Sequence, residues 1–418
     1  MNKIRQSLLV TFDFSQRGKS GTGLAAASLI SACRSHEDYG TSFLIEHLPI
    51  RMPVHPEKRL SHIDVYNQIT SHNDIQRIDS LIIACYVWSS DLVNPLIAKC
   101  RENGFTGKII LGGYQIHRAT CKTLYPDGDI YIPGYGEAAL PKAILMDRHI
   151  TSQVVEEKVD FEHISSPFLD GSFQLEYGMD MIHWETSRGC QFKCNFCAHR
   201  DLVETSKDRV HPMGFDKIKA ELDLFKKFNV KKINVLDPVF NRGDLNKKVL
   251  KYAISINLQS LLSLQVRFEL IDEEFLFLCK QLNVELEFGL QTAIEKEYRI
   301  IERPNHMPSV GKAISLLTQF KQPFEVSLIY GLPEQTFNSF KQSIQYLTDR
   351  CNCIIKAFPL MLLEGTELIN QKDKFGLKED VIDESKIPHV VESHSFTRQE
   401  WQKMHNHAKS LTNNMEAA

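Results

Sequence analysis

Nothing in the 418 residues approaches the unbroken apolar run of roughly twenty that a membrane-spanning helix requires. No low-complexity tract or short-period repeat is present, and no small-residue cleavage site follows the first apolar stretch. An excess of either charge is also missing. Lysine and arginine number 49 against 52 acidic residues, a formal net charge of -3. Neither a basic nucleic-acid surface nor a polybasic membrane patch is implied. The ten cysteines form no disulfide-like framework in so long a chain. That pattern points to a reducing, cytoplasmic location. What remains is ordinary globular composition, 43% hydrophobic and 24% charged, enough for two domains and a short third.

The first half alternates short apolar runs with amphipathic ones. Strands are expected at 7–14, 41–47, 79–88, 108–111 and 129–132, and helices at 24–34, 63–75 and 91–104. The run 79–88 is almost continuously apolar, as a central parallel strand covered on both faces must be. The fold class is therefore α/β. Residues 1–150 are expected to form a doubly wound, Rossmann-like parallel sheet, with ligands at the carboxyl ends of its strands. Trp88, Ser89, Gly112, Gly113, Gly134 and Gly136 fall there. Turn chemistry explains the glycines equally well, and core filling explains Trp88. The segment 16–23 contains Gly18-Lys19-Ser20. A phosphate loop would need glycine where Asp13 stands, which leaves a glycine-rich strand-to-helix loop that admits a ligand.

Residues 151–178 are mixed in charge and read as a linker. From 179 the alternation restarts, with strands at 182–187, 232–236, 262–268, 284–288, 324–330 and within 353–363. Helices fall between them, one of them at 272–282 with Asp272 at its start. Six such units over 179–370 suggest a partial (β/α)6 barrel, open on one side. The segment 371–418 is expected to be a short helical extension. Its capping box, Thr397-Arg398-Gln399-Glu400, opens a helix with Trp401, Met404 and Ala408 on one face. That helix either caps the open side of the barrel or lies loosely on the surface.

Three cysteines lie between the first barrel strand and its helix: Cys190, Cys194 and Cys197, spaced C-x3-C-x2-C. Three is one short of a closed zinc site or a fully protein-ligated cluster. A four-iron cluster on three cysteines leaves one iron open to a small molecule. A zinc knuckle lacking its fourth ligand, or thiols that merely pack, are the competing readings. Asp237, Arg267, Gln291 and the turn Gly331-Leu332-Pro333 also fall at the carboxyl ends of strands. Cys351 and Cys353 are too close and too isolated for a second cluster and read as structural. His199 and Arg200 read as loop surface. His389, His394, His405 and His407 match no metal motif.

The cysteine spacing with Phe196 before the last cysteine resembles the radical S-adenosylmethionine (SAM) superfamily. So do Gly289-Leu290-Gln291-Thr292, Arg303-Pro304 and the run Gly331-Leu332-Pro333-Glu334-Gln335-Thr336. The resemblance covers residues 180–370. With the N-terminal sheet it extends to the subgroup that carries a cobalamin-binding-like domain. Cys33, Cys85, Cys100 and Cys121 are too scattered for the second cluster of the methylthiotransferase subgroup. There are two departures. Glu364 stands where the family's P-G-T-x-L segment has proline. The cobalt-ligating run D-x-H-x-x-G is absent, and His47 and His55 lack its context.

The resemblance implies a [4Fe-4S] cluster on Cys190, Cys194 and Cys197, with SAM chelating the open iron through its amine and carboxylate. One electron would cleave SAM to methionine and a 5′-deoxyadenosyl radical, which takes hydrogen from an unactivated C–H bond. It implies Phe196 on adenine, Asp237 on the SAM amine, Arg267 on the carboxylate and Gln291 on ribose or carboxylate. Cobalamin, where bound, would lie against Trp88, Ser89, Gly112, Gly113, Gly134 and Gly136. Each role has a plainer alternative: a cap for Asp237, an ion pair for Arg267, core packing for Phe196. The expected activity is cobalamin-dependent methyl transfer to a small molecule or peptide, with an external electron donor such as flavodoxin or ferredoxin. The alternatives are a cobalamin-independent isomerase, dehydrogenase or rearrangement enzyme, and a non-enzymatic iron–sulfur sensor.

Overall fold

A computed structural model describes residues 3–14, 23–53, 59–147, 149–200, 209–382 and 387–416. The loop with Gly18-Lys19-Ser20, and His55, lie outside these residues. The described residues divide into two compact units, one of those up to Glu176 together with Ile387, and one of residues 177–200, 209–382 and 388–416.

The first unit runs β1 (Arg5–Phe14), α1 (Leu24–Arg34), β2 (Phe43–Met52), α2 (His62–His72), β3 (Ser80–Ala84) and α3 (Ser90–Glu102). It continues through β4 (Lys108–Gly112), α4 (Cys121–Leu124), β5 (Ile130–Ile132), α5 (Ala139–Leu145) and β6 (Gln153–Val154). The six strands are parallel in the order β2-β1-β3-β4-β5-β6. Alternate residues of β1 enter opposite cores. Leu8, Val10 and Phe12 pack with Val65 and Ile69 of α2 and with Leu92 and Leu96 of α3. Leu9 packs with Ala26 and Ile30 of α1 and with Leu140 and Ala143 of α5. Both faces are covered, so the strands read as unbroken apolar runs. The third strand stops at Ala84, short of its expected end. Ser89 Oγ accepts from the Tyr86 amide at 3.2 Å, and the Ser89 amide donates to the Tyr86 carbonyl at 3.0 Å. That turn starts α3. The strand order reverses between β1 and β3, the position where sheets of this type bind ligands.

The second unit runs β7 (Met181–Trp184), β8 (Ser187–Arg188), β9 (His211–Pro212), α6 (Phe215–Lys227), β10 (Lys232–Val235), α7 (Leu245–Ser255), β11 (Leu261–Val266) and α8 (Glu273–Cys279). Next come β12 (Val284–Gln291), α9 (Glu295–Ile300), α10 (Met307–Gln319), β13 (Phe324–Tyr330), α11 (Phe337–Thr348) and β14 (Ile354–Pro359). The chain ends with α12 (Glu367–Asn370), α13 (Lys372–Phe375), β15 (Lys378–Val381), β16 (Pro388–Glu392) and α14 (Arg398–Glu416). Six parallel strands follow the order β7-β10-β11-β12-β13-β14. β7 and β14 are its two edges, so the barrel is partial and open between them.

Here the strands alternate. Trp184, Val235, Leu264, Leu286 and Val326 are buried on the helix-covered face. Trp184 meets Phe225 of α6 edge-on at 5.7 Å, and its indole N–H donates to the buried Glu221 at 2.7 Å. The intervening positions are polar. Lys232 pairs with Glu285 at 2.8 Å, Lys356 pairs with Glu325 at 2.6 Å, and Ser263 donates to Glu287 at 2.7 Å. One face of this sheet is therefore apolar and the other polar. Asp272 caps α8, accepting from the Phe275 amide at 2.7 Å.

The C-terminal segment is helical at its end and also contains the antiparallel pair β15–β16. The capping box forms as expected. Thr397 Oγ1 accepts from the Glu400 amide at 3.3 Å, and Glu400 Oε2 accepts from the Thr397 amide at 3.0 Å. Trp401, Met404 and Ala408 are buried, and α14 packs against the edge strand β14.

Candidate active site

The cysteine loop is held at both ends. At its start, β8 pairs with β9, and Arg188 Nε donates to Glu185 at 2.8 Å. Gly189 then takes a left-handed φ of +82° and turns the chain into Cys190. At the middle, Asn195 is fully buried. Its amide donates to the Ile301 carbonyl at 3.1 Å, and its Nδ2 donates to the Ile300 carbonyl at 2.8 Å. Its own carbonyl accepts from the Leu368 amide at 2.9 Å. The loop is thus fastened to the end of α9 and the start of α12.

Cys194 is buried, while Cys190 and Cys197 are half-buried, and all three are free thiols. Burial pushes the thiols of Cys190 and Cys197 up, Cys197 to about 11, and the neighbouring cysteines add to this. The three sulfurs therefore lie within electrostatic reach of one another. Two guanidinium groups act the other way: Arg267 and Arg303 both favour the Cys190 thiolate, and Arg303 favours that of Cys197. Arg303 Nη1 donates to Cys194 Sγ at 3.7 Å, and its Nη2 donates to the Gly289 carbonyl. Among the described residues, no three His, Cys, Asp or Glu side chains could hold a single metal ion. Three free thiols are the donor set of a four-iron cluster with one open iron, and they fall one short of the four ligands of a structural zinc site.

The polar residues expected at the strand ends are present and heavily engaged. Asp237 is 2% exposed and accepts from the Thr186 amide at 2.7 Å, Thr186 Oγ1 at 2.5 Å and Ser187 Oγ at 2.7 Å. Burial pushes its carboxyl up, against these bonds. It ties down the chain just before the cysteine loop. Arg267 is 4% exposed. It bonds Glu269 through Nε at 3.0 Å and Nη2 at 3.2 Å, and Nη2 reaches the Pro304 carbonyl at 3.3 Å. Its guanidinium lies 4.1 Å over the ring of Phe192. Nη1 is buried and has no protein acceptor. The Nε of Arg303 is likewise unpartnered. Buried donors of this kind are costly unless a ligand satisfies them. A carboxylate is the matching acceptor, because guanidinium binds it with paired charge-assisted bonds.

Gln291 sits at φ +70°, a left-handed conformation rare for glutamine, where the β12–β13 register slips. A Cβ on Gly289 would lie 2.6 Å from Gln291 Nε2, so the missing side chain of Gly289 is what lets the glutamine fold back. Asn305 Nδ2 donates to the carbonyls of Leu290 and Thr292 at 2.9 and 3.1 Å. Phe196 is half-buried, and the ring covered by a guanidinium is Phe192. His199 is half-buried, and burial pushes its imidazole down. Sequence reasoning missed Phe192, Glu269, Asn195 and Asn305. It saw Arg303 only as part of a motif. A glutamate two residues after Arg267 carries no signal until the chain turns it back onto the guanidinium.

In the first unit, Trp88 stands at the β1/β3 switch point. Its indole N–H donates to the Phe12 carbonyl at 2.9 Å, and its ring stacks on Tyr86 at 4.6 Å. Ser89 is buried in the turn that starts α3. Gly112 ends β4. Gly113 follows with φ +101°, and a Cβ there would lie 2.6 Å from the Cys85 carbonyl oxygen. Gly134 (φ +75°) and Gly136 lie in the loop after β5. A set not foreseen lies nearby: Thr11 Oγ1 donates to Asp13 at 2.7 Å and bonds His47 Nε2 at 2.9 Å. Burial pushes His47 down to about 4 and Asp13 up.

Residues 184–347 match the family model for the radical SAM superfamily. No curated protein sequence matches the chain. Among solved structures, one similar fold is a radical SAM methyltransferase, TsrM, from Kitasatospora setae with tryptophan substrate and a SAM analogue bound. It has a TM-score of 0.70 and 12% identity over 97% of this chain and 89% of that one. A second TsrM structure, with cobalamin and a [4Fe-4S] cluster bound, has a TM-score of 0.67 and 12% identity over 98% of this chain and 89% of that one. The cobalamin-dependent SAM radical enzyme OxsB, with aqua-cobalamin and SAM bound, has a TM-score of 0.66 and 14% identity over 99% of this chain and 67% of that one. At such identities the likeness is one of fold. The chain thus carries a radical SAM domain, and it has the fold of the cobalamin-dependent radical SAM enzymes.

Proposed function

We propose that the protein is a radical SAM enzyme that modifies a C–H position of a small-molecule or peptide substrate, with cobalamin-dependent methyl transfer as the favoured outcome. Cys190, Cys194 and Cys197 would hold a [4Fe-4S] cluster, the barrel at 179–370 would be the catalytic domain, and residues 1–150 would hold cobalamin. The observation that carries this reading is the convergence of three free thiols with two arginines that retain buried, unpartnered N–H groups. When bound, the cluster would supply the electron that cleaves SAM, and methylcobalamin would supply the methyl group.

The chain's own residues then have defined tasks. Arg267, with Nη1 unspent, would bind the SAM carboxylate, while Glu269 and the Phe192 ring keep its guanidinium from turning. Arg303 would offset the negative charge of the cysteine thiolates. Asp237 would position the entry to the cysteine loop through Thr186 and Ser187 and has little capacity left for the SAM amine. Gln291 would face the ligand from a strained turn. The polar face of the barrel sheet suits a substrate with hydrogen-bonding groups. An external one-electron donor such as flavodoxin or ferredoxin would supply reducing equivalents.

A second reading drops cobalamin, leaving an isomerase, dehydrogenase or rearrangement enzyme. The engagement of the Trp88 N–H by the Phe12 carbonyl favours it, as does the absence of D-x-H-x-x-G. The two readings separate by experiment. After anaerobic reconstitution with iron and sulfide, incubation with SAM and dithionite should yield 5′-deoxyadenosine or S-adenosylhomocysteine. Neither product under any condition would refute both. Visible absorbance of cobalamin carried through purification from cobalamin-supplied cells distinguishes the first from the second. Cys194→Ala should lose most of its iron and all turnover, and a variant that kept both would remove the cluster from these cysteines.

A further inference from the structure

Two cysteines outside this site form a second reactive centre. Cys351 and Cys353 flank Asn352 in the loop from α11 to β14. Their Sγ atoms are 3.0 Å apart, in hydrogen-bond contact. In a regular strand, residues two apart are separated by about 6.6 Å, so extended backbone does not produce this approach. The loop folds to make it. Cys351 hangs from the end of α11: its amide donates to the Leu347 carbonyl at 2.9 Å and its Sγ to the same oxygen at 3.4 Å. Cys353 leads directly into β14, whose Ile354 is registered against Glu325 of β13. Each sulfur is thus held by a different element, and both are partly exposed.

The remaining cysteines differ. Cys33, Cys85, Cys100, Cys121 and Cys279 are buried, and burial pushes every one of their thiols up. Such thiols are inert. The hydrogen bond the two sulfurs share shifts their thiols in opposite directions, Cys351 down and Cys353 up. Two partly exposed thiols in direct contact are the arrangement of a dithiol able to exchange and close. A metal site is not the explanation, since among the described residues no third ligand joins the pair. The loop also lies at the amino-terminal end of β14, whereas the cysteine cluster follows the carboxyl end of β7.

We propose that Cys351 and Cys353 are a reactive dithiol that exchanges with low-molecular-weight disulfides and closes reversibly to an intrachain disulfide joining the end of α11 to the start of β14. One of the two thiols loses its proton, and its thiolate attacks one sulfur of a disulfide RSSR, forming a mixed disulfide and releasing RS⁻. The second thiol loses its proton and attacks the sulfur of the first, releasing the second RS⁻. The two protein thiols are oxidised by two electrons, RSSR is reduced to two thiols, and both protein protons end on them. Closure moves the sulfurs from 3.0 Å to the bonded distance of about 2.05 Å.

Trypsin would cut after Arg350 and Lys356, leaving both cysteines alone in one six-residue peptide, 351–356. The full chain is equilibrated with mixtures of reduced and oxidised glutathione, quenched with an alkylating agent, digested and weighed. The expected product is peptide 351–356 without alkyl label and two hydrogens lighter. It should form at least about tenfold faster in the folded chain than in the urea-unfolded one, because the fold prearranges the sulfurs. Cys353→Ser should trap glutathione stably on Cys351, and Cys351→Ser should trap it on Cys353, because neither variant keeps a resolving thiol. The proposal falls if both cysteines stay alkylated, if glutathione adducts persist unresolved in the wild type, or if the unfolded chain oxidises as fast as the folded one.

Discussion

Replacing Glu269 by glutamine tests whether the guanidinium of Arg267 is held as described. The two side chains make a bidentate pair at 3.0 and 3.2 Å, with Arg267 5% and Glu269 17% exposed at the side chain. Glutamine keeps the shape and at most one acceptor, so a buried positive charge loses its counter-ion. Breaking a buried pair from one side costs about 3–5 kcal/mol. The Phe192 ring lies beneath the guanidinium in both forms and so cancels in the difference. Because glutamine keeps one acceptor, the expected loss in the second unit lies at the lower end, about 3 kcal/mol. Unfolding by urea, followed by tryptophan fluorescence in a Trp88→Phe background, reads it directly. The other two tryptophans, Trp184 and Trp401, both belong to the second unit.

The pH dependence supplies a sign. Burial raises the Glu269 carboxyl, but the bonds and charge of Arg267 more than offset it, so its folded-state value lies below the ordinary one. A group with a lowered folded value stabilises above its unfolded pKa, about 4.3 for glutamate. That stability disappears as the pH falls through the folded value. The gap between wild type and Glu269→Gln should therefore be full at neutral pH and shrink as the pH drops below the ordinary carboxylate range. Adding Arg267→Met to the variant should recover part of the loss, because no uncompensated charge remains. A loss under about 1 kcal/mol at pH 7, or a gap unchanged in acid, would refute this account of the pair.

Two further perturbations follow from backbone geometry. Gln291→Gly should raise stability by about 1 kcal/mol, because glycine tolerates φ +70°. SAM-dependent turnover should fall at the same time, and urea unfolding combined with a 5′-deoxyadenosine assay checks both. Gly113→Ala should cost about 3 kcal/mol or more, since its Cβ would meet the Cys85 carbonyl at 2.6 Å with φ +101°. Gly136→Ala should cost less, because the atom in its way is the movable end of Leu29. Equal costs in urea unfolding would show that close backbone approach is not what demands glycine at 113.

The two sheets were legible in the chain for different reasons. In the first unit both faces of each strand are covered, so the signal is the unbroken apolar run at Leu81, Ile82 and Ile83. In the second unit one face is polar, and the strands show alternation instead, as in Ile233, Asn234 and Val235. Ends were less legible. The run 79–88 looks like one strand because Tyr86, Val87 and Trp88 suit a strand, but the Ser89 side chain turns the chain after Ala84. Helix α9 is short, and β15 and β16 form a small two-stranded sheet of their own among the described residues, so none carried a long-range pattern.

The sequence by itself determined the chemistry on offer. It placed three thiols within eight residues, ahead of the first helix of an alternating α/β repeat, and an aromatic before the third. Local spacing suffices for that, because one loop carries all three. Only the tertiary structure decided how the other groups are employed. Asp237 is spent on Thr186 and Ser187, Arg267 is clamped by Glu269 but keeps one N–H, and Arg303 reaches Cys194 across 109 positions. It also decided that Cys351 and Cys353 touch, which a C-x-C spacing alone leaves open. The physical reason is the same in each case. A side chain's identity and neighbours in sequence fix what it can do, but burial and long-range partners fix which of its bonds remain unused.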